Sequence, residues 1–260
     1  MDLELRGKII LVTGGSRGIG AAIARACCGE GAIPVILDRR AEAGRELQSQ
    51  LRNQGGVSEF LEVELAEPEN CRLAVDHALQ RFGRIDGLVN NAGFNDKVGL
   101  ETGTPAKFME SLHINLLHYY CMAHYAVAGL KAARGSIVNI ASKTALTGQG
   151  GTSGYAGAKG AILALTREWA VELASSGVRV NAVVPAEVMT PLYREWLQTF
   201  PNPQEKLDGI VARIPLGRRM TGADEIAAMV LFLLSARAGH ITGQHLVVDG
   251  GYVHLDRVLT

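Results

Sequence analysis

At 260 residues, 47% of them hydrophobic, the chain carries enough apolar material for a full core, and one α/β domain over 1–260 is the expectation. Twenty-six basic residues balance 26 acidic ones, so no summed positive field draws the protein to nucleic acid or anionic lipid, and a small diffusing substrate is the simpler partner. No apolar run approaches the roughly 20 residues that span a bilayer, and the opening MDLELRGKIILVTGG lacks a basic head before an apolar signal core, so a cytoplasmic protein is expected.

In chain order, short β-branched runs alternate with longer amphipathic stretches. The runs Lys8–Val12, Ile33–Leu37, Val57–Val63, Gly87–Val89, Ser136–Ile140, Val178–Val183 and His245–Val248 read as strands. Between them, Ile19–Gly29, Ala41–Asn53, Pro68–Phe82, Pro105–Leu130, Ser153–Ser175 and Ala223–Leu234 repeat apolar residues every three or four positions and read as helices. That alternation predicts a single-domain Rossmann-type fold of the α/β class, a doubly wound seven-stranded parallel sheet with helices on both faces. Pro185–Pro215 breaks the rhythm with five prolines among Tyr193, Trp196 and Phe200, and reads as a substrate flap around 186–215. Cys27, Cys28, Cys71 and Cys121 lack paired ligand spacing and read as core thiols. His113, His118 and His124 lack the i, i+4 spacing of a helical zinc pair, so no metal site is expected.

In a doubly wound sheet, ligands lie beyond the carboxyl ends of the strands. Thr13-Gly14-Gly15-Ser16-Arg17-Gly18-Ile19-Gly20 follows the first strand and opens the first helix, where glycines permit a tight turn and a close approach to pyrophosphate. Alone it is also compatible with a plain strand-to-helix connection. The second strand ends in Asp38, about 20 residues on, where a carboxylate accepts the ribose hydroxyls of NAD and repels a 2′-phosphate. Arg17 and Arg39 stand where guanidinium groups would welcome that phosphate, so NAD is expected and NADP stays open. Asn90-Asn91-Ala92-Gly93 closes the fourth strand, and Ser142 stands two residues past the fifth. Tyr155 and Lys159 are four apart in a predicted helix, which puts phenol and ammonium on one face. A neighbouring cation would draw a phenol pKa of about 10 down toward the range of a general base. An amphipathic helix with an incidental Tyr and Lys is the bland alternative.

The ordered set TGGSRGIG, NNAG, Asn115, Ser142, YAGAK and NAVVPAEVMT resembles the short-chain dehydrogenase/reductase family over essentially the whole chain. The resemblance implies Tyr155 as acid/base, Lys159 holding the nicotinamide ribose and lowering the Tyr155 pKa, Ser142 binding the reacting oxygen, and Asn115 holding a relay water. It implies further that Gly14, Arg17, Gly18, Ile19 and Gly20 serve the pyrophosphate and ribose, and Glu64 and Leu65 the adenine. Asn91, Ala92 and Gly93 would serve the adjoining ribose, and Val188 and Thr190, beside Pro185, the carboxamide. Two positions depart from the family pattern: Glu64 where Asp is common, and Ala186 where Gly is common.

Around the expected reacting centre, Asn95, Asp96, Lys97, Gln149, Thr152 and Glu187 form a polar set that suits a polyol, with Tyr193 and Trp196 able to cover a sugar's CH face. Each of these, taken singly, is equally a solvated loop residue or helix cap. The stretches NLLHYYCMAHY, ASKTALTGQGGTSGY, PAEVMTPLYREW and DGGYVHLDR are similar to the bacterial L-fucose dehydrogenases of this family. That implies oxidation at the anomeric carbon of L-fucose or a relative such as L-galactose or D-arabinose, giving a lactone. It also implies a homotetramer built on the helices bearing Asn115 and Tyr155 and the last strand, for which AILALTREWAVELA and AMVLFLLSA would supply apolar faces. The rival readings are a 3-oxoacyl or steroid/carbonyl reductase of the same family, and a dinucleotide-binding regulator without turnover.

Overall fold

Seven parallel strands form one sheet in a computed structural model that describes residues 1–255. They are β1 (Ile9–Thr13), β2 (Ile33–Asp38), β3 (Glu59–Glu62), β4 (Gly87–Asn90), β5 (Ser136–Ile140), β6 (Arg179–Pro185) and β7 (His245–Val248), in the spatial order β3-β2-β1-β4-β5-β6-β7. Asp256 and Arg257, the end of the stretch DGGYVHLDR, lie outside the described residues.

Strand periodicity divides the core. Ile9, Leu11, Val35, Leu37, Leu88, Ile137 and Val180 face one side, where α3 (Pro68–Phe82), α5 (His118–Ala133) and α6 (Ser153–Ala174) cover them. Ile10, Val12, Ile36, Val89, Val138 and Val183 face the other, under α1 (Gly18–Gly29), α2 (Ala41–Asn53) and α9 (Ala223–Leu234). Both faces are dry, which explains the near-continuous apolar strands. The apolar face of AMVLFLLSA is turned into this core: Val230, Leu231, Leu233 and Leu234 are buried within their own chain. No described helix is long and apolar enough to cross a membrane.

Two regions differ from expectation. The stretch read as one helix from Pro105 to Leu130 is α4 (Pro105–Leu112), a π-helical turn over His113–Leu117, and α5. Asn115 sits in that turn, and its Oδ1 accepts a hydrogen bond from the Phe94 N–H at 2.9 Å. A π-turn of this kind admits one extra residue into the helix and is common beside functional groups. The proline-rich segment is not a structureless flap but carries α7 (Pro191–Leu197) and α8 (Pro203–Val211). Pro191 and Pro203 sit at first helical positions, where a missing N–H costs nothing. Thr190 Oγ1 accepts from Tyr193 N and Asn202 Oδ1 from Glu205 N, both at 3.2 Å, so each helix starts on a side-chain cap.

The β1–α1 connection is packed against β4. Gly14 and Gly18 take φ of +60° and +55°, and a Cβ on Gly20 would fall inside contact distance of the Gly14 carbonyl and 2.7 Å from Asn91 Nδ2. Gly20→Ala must therefore push the turn off β4. We expect it to cost about 1–3 kcal/mol, a drop of several degrees in Tm, and to weaken dinucleotide affinity. Unchanged thermal unfolding and binding would show that the turn relaxes freely.

Candidate active site

Order reversal between β2-β1 and β1-β4 opens a cleft of about 610 Å³ at the carboxyl edge of the sheet. Gly14, Arg17, Gly18 and Ile19 form its floor. Asn91 locks them: its Nδ2 donates to the carbonyls of Thr13 and Gly14 at 2.9 and 3.1 Å, while Thr13 Oγ1 accepts from the N–H groups of Asn91 and Ala92. Side chains at the glycines would fill this cradle, since a Cβ on Gly14 would lie 2.9 Å from Ala92 Cα. The floor thus fits a pyrophosphate approached by backbone.

Asp38 stands at one end, buried to 3% exposure. One carboxylate oxygen accepts from the Ser16 hydroxyl and N–H, the other from Arg40 N at 3.0 Å. The first oxygen is fully used, while the second keeps a lone pair and lies 3.7 Å from the Arg40 guanidinium, so the group both ties the turn and faces the cleft. Arg39 pairs with Glu64 at 3.1 Å, and Leu65, Ala92 and Gly93 complete this end.

At the other end the wall includes Asn95, Ser142, Tyr155, Lys159, Pro185, Val188, Thr190 and Tyr193. Burial raises the Tyr155 pKa to about 12; a hydrogen bond with Ser142 pulls it down and the Asp96 charge pushes it up. Burial also lowers Lys159 to about 7. Its Nζ donates to Tyr119 Oη at 2.9 Å and to the Ile140 carbonyl at 2.8 Å, and lies 5.6 Å from the Tyr155 ring centre. In the free protein desolvation outweighs the Ser142 hydrogen bond that lowers the Tyr155 pKa, and no lowering by Lys159 accompanies it. Both groups are shifted toward their neutral forms.

Eight expected site residues lie off the cleft wall, Asp96 and Lys97 among them. Gly20 packs beneath the turn and Asn115 is fully buried behind Phe94. Gln149 is exposed on its loop, and Thr152 is buried at the start of α6. Trp196 is stacked edge-on against Tyr193 and Phe200, with centroids 5.0 and 4.9 Å away. Glu187 is buried in an ion pair with Lys143 and accepts from Tyr193 Oη at 2.7 Å, with Tyr252 lying 4.4 Å beneath the Lys143 ammonium. Sequence reading missed Lys143, His118 and Tyr119. Lys143 follows Ser142 directly, and His118 and Tyr119 come three and four residues after Asn115, but only the π-turn decides which of them points inward.

Comparison with known proteins agrees with this geometry. A family model described as enoyl-(acyl carrier protein) reductase matches residues 14–253. The chain is 40% identical over 247 residues to an L-fucose dehydrogenase of Oryctolagus cuniculus, covering 94% of this chain and 84% of that one. It superposes on the crystal structure of the dehydrogenase Cj0485 with a TM-score of 0.94 and 47% identity, over 100% and 99% of the two chains. It superposes on the ligand-free aldohexose dehydrogenase of Thermoplasma acidophilum with a TM-score of 0.90 and 30% identity, over 100% and 99%.

His118 is held neutral in this wall, its pKa lowered from 6.5 to about 3 chiefly by burial and then by the Lys159 charge. As pH falls from 6.5 toward 3, the unfolded chain takes up a proton that the folded chain refuses, so stability is lost across that window. Between pH 6.5 and 4.5 the difference amounts to roughly 2 kcal/mol. Urea unfolding should show His118→Gln losing less stability than wild type over this range. Parallel pH curves would mean that His118 titrates normally.

Proposed function

The chain belongs to the short-chain dehydrogenase/reductase family, and from that premise we propose that it oxidises a hydroxylated sugar, L-fucose or a close relative such as L-galactose or D-arabinose, at its anomeric carbon to the lactone. Members of the family use a nicotinamide dinucleotide, NAD or NADP. A bound NAD supplies the acceptor for the hydride that leaves the sugar carbon. Ser142 holds the anomeric hydroxyl, Tyr155 takes its proton, and Lys159 steadies the phenolate that accepts it. Asn115 shapes this site from behind, as the holder of a relay water.

The observation that carries the substrate class is the buried polar cluster beside Ser142. Lys143, Glu187 and Tyr193 satisfy one another there, and Asp96 Oδ1 and Thr144 Oγ1 are buried without a hydrogen-bond partner. An apolar ligand would leave such groups stranded, whereas a ligand with several hydroxyls offers them donors and acceptors. The relatives named for L-fucose and aldohexose support the same reading. Within it, Asn95 and Tyr193 are the side chains nearest the sugar, with Glu187 held behind Tyr193, and 186–215 is a flap built on α7 and α8. Support for the flap comes from α8, which buries none of its residues. A homotetramer is part of the proposal, supported by exposed Phe108, Met109, Tyr120 and Val171 on α4, α5 and α6.

NAD is the proposed dinucleotide. Asp38 faces the cleft, and Arg39 is already engaged by the Glu64 carboxylate, which would itself repel a 2′-phosphate.

Two measurements test these assignments. Reduced cofactor should appear with saturable kinetics for L-fucose, L-galactose or D-arabinose; silence there, with turnover of hydroxysteroids or 3-hydroxyacyl esters, would overturn the substrate class. Asp38→Ala should weaken NAD and raise the relative use of NADP by about tenfold or more, the scale of one lost charge-assisted hydrogen bond. An unchanged ratio would mean that the carboxylate serves only Ser16 and the turn.

A further inference from the structure

Lys159 depends on a residue that lies off the cleft wall. Tyr119 is completely buried on the first turn of α5. Its hydroxyl donates to the Ile140 carbonyl at 2.9 Å and accepts from Lys159 Nζ at 2.9 Å, while Nζ donates to that same carbonyl at 2.8 Å. Three polar atoms from α5, β5 and α6 therefore touch one another in a triangle, and Nζ lies 5.0 Å from the Tyr119 ring centre. Among the described residues Lys159 has no carboxylate within ion-pair distance, so a buried ammonium rests on two neutral oxygens. A phenylalanine would fill the same volume, so the hydroxyl adds nothing to packing. What it adds is an acceptor aimed at a cation.

We propose, resting on the roles of Tyr155 and Lys159 given above, that Tyr119 is a positioning residue that fixes the place and the charge of Lys159 beside Tyr155. Lys159 is faced by Tyr155 from its own helix, by Tyr119 and His118 from α5, and by the end of β5 through Ile140, with Ser142 just beyond; Asp96, after β4, acts on Tyr155. Of these, only the Tyr119 hydroxyl and the Ile140 carbonyl accept from the ammonium. Removing the hydroxyl leaves the charged form one acceptor short, so the Lys159 pKa, already brought down to about 7 by burial, falls further. Lys159 then keeps its charge only to a lower pH, so less of it is charged near neutrality beside Tyr155.

The test uses the full chain labelled with 13C at lysine Cε and follows the Lys159 resonance by NMR without added dinucleotide. The expected result for Tyr119→Phe is a Lys159 midpoint lower by about one pH unit. A lower Tm with an unmoved midpoint overturns the proposal, because a hydroxyl that merely tied α5 to β5 would have that effect alone. If Tyr119→Phe does not fold, the wild-type Tyr119 Cζ resonance gives the answer: it should titrate with the Lys159 midpoint, and silence overturns the link. Tyr155→Phe separates the two claims. Retained turnover in that variant sinks the acid/base reading, while the lysine titration still decides whether Tyr119 governs Lys159.

Discussion

Desolvation at the carboxyl edge of the sheet is the constraint on which the rest of this site depends. Seven parallel strands end together at the cleft, with helices packed on both faces of the sheet. A phenol and an amine placed there are both driven toward neutrality, Tyr155 upward to about 12 and Lys159 downward to about 7. In such a setting each neighbouring hydroxyl or carbonyl carries more weight than it would in water, because little else stabilises charge. Ser142 on the phenol, and Tyr119 with the Ile140 carbonyl on the amine, are the partners that count.

The same scarcity of water explains why so many polar groups around the cleft are committed to one another. Asn91 and Thr13 hold the glycine turn, Ser16 holds Asp38, and Lys143 holds Glu187. A buried ion pair such as Lys143–Glu187 adds little net stability once desolvation is counted. Its effect is on shape: it joins the loop after β5 to the loop after β6, and Tyr193 extends the link to α7. The segment expected to cover the substrate is thereby tied to the residue that follows Ser142.

The π-turn has a comparable effect within one element. It interrupts α4 and α5, draws Asn115 inward beneath Phe94, and leaves His118 and Tyr119 facing Lys159. A regular helix through the same residues would advance 100° per residue and point a different set at the cleft.

Strand alternation, the glycine turn and the helical repeats are local properties of neighbouring residues, and the sequence alone determined the sheet, six main helical stretches and the line from Gly14 through Asp38 to Tyr155 and Lys159. It also held the caps Thr190-Pro191 and Asn202-Pro203, which mark the starts of α7 and α8 within the segment read as a flap. What only the tertiary structure decided concerns groups brought together across the chain. Whether Glu187 meets Lys143 and whether Lys159 finds Tyr119 depend on packing between residues 44 and 40 positions apart. The sense of the pKa shift at Tyr155 belongs to the same class. Spacing places a cation beside a phenol, but burial is a property of the whole fold, and here burial is the largest influence on the phenol.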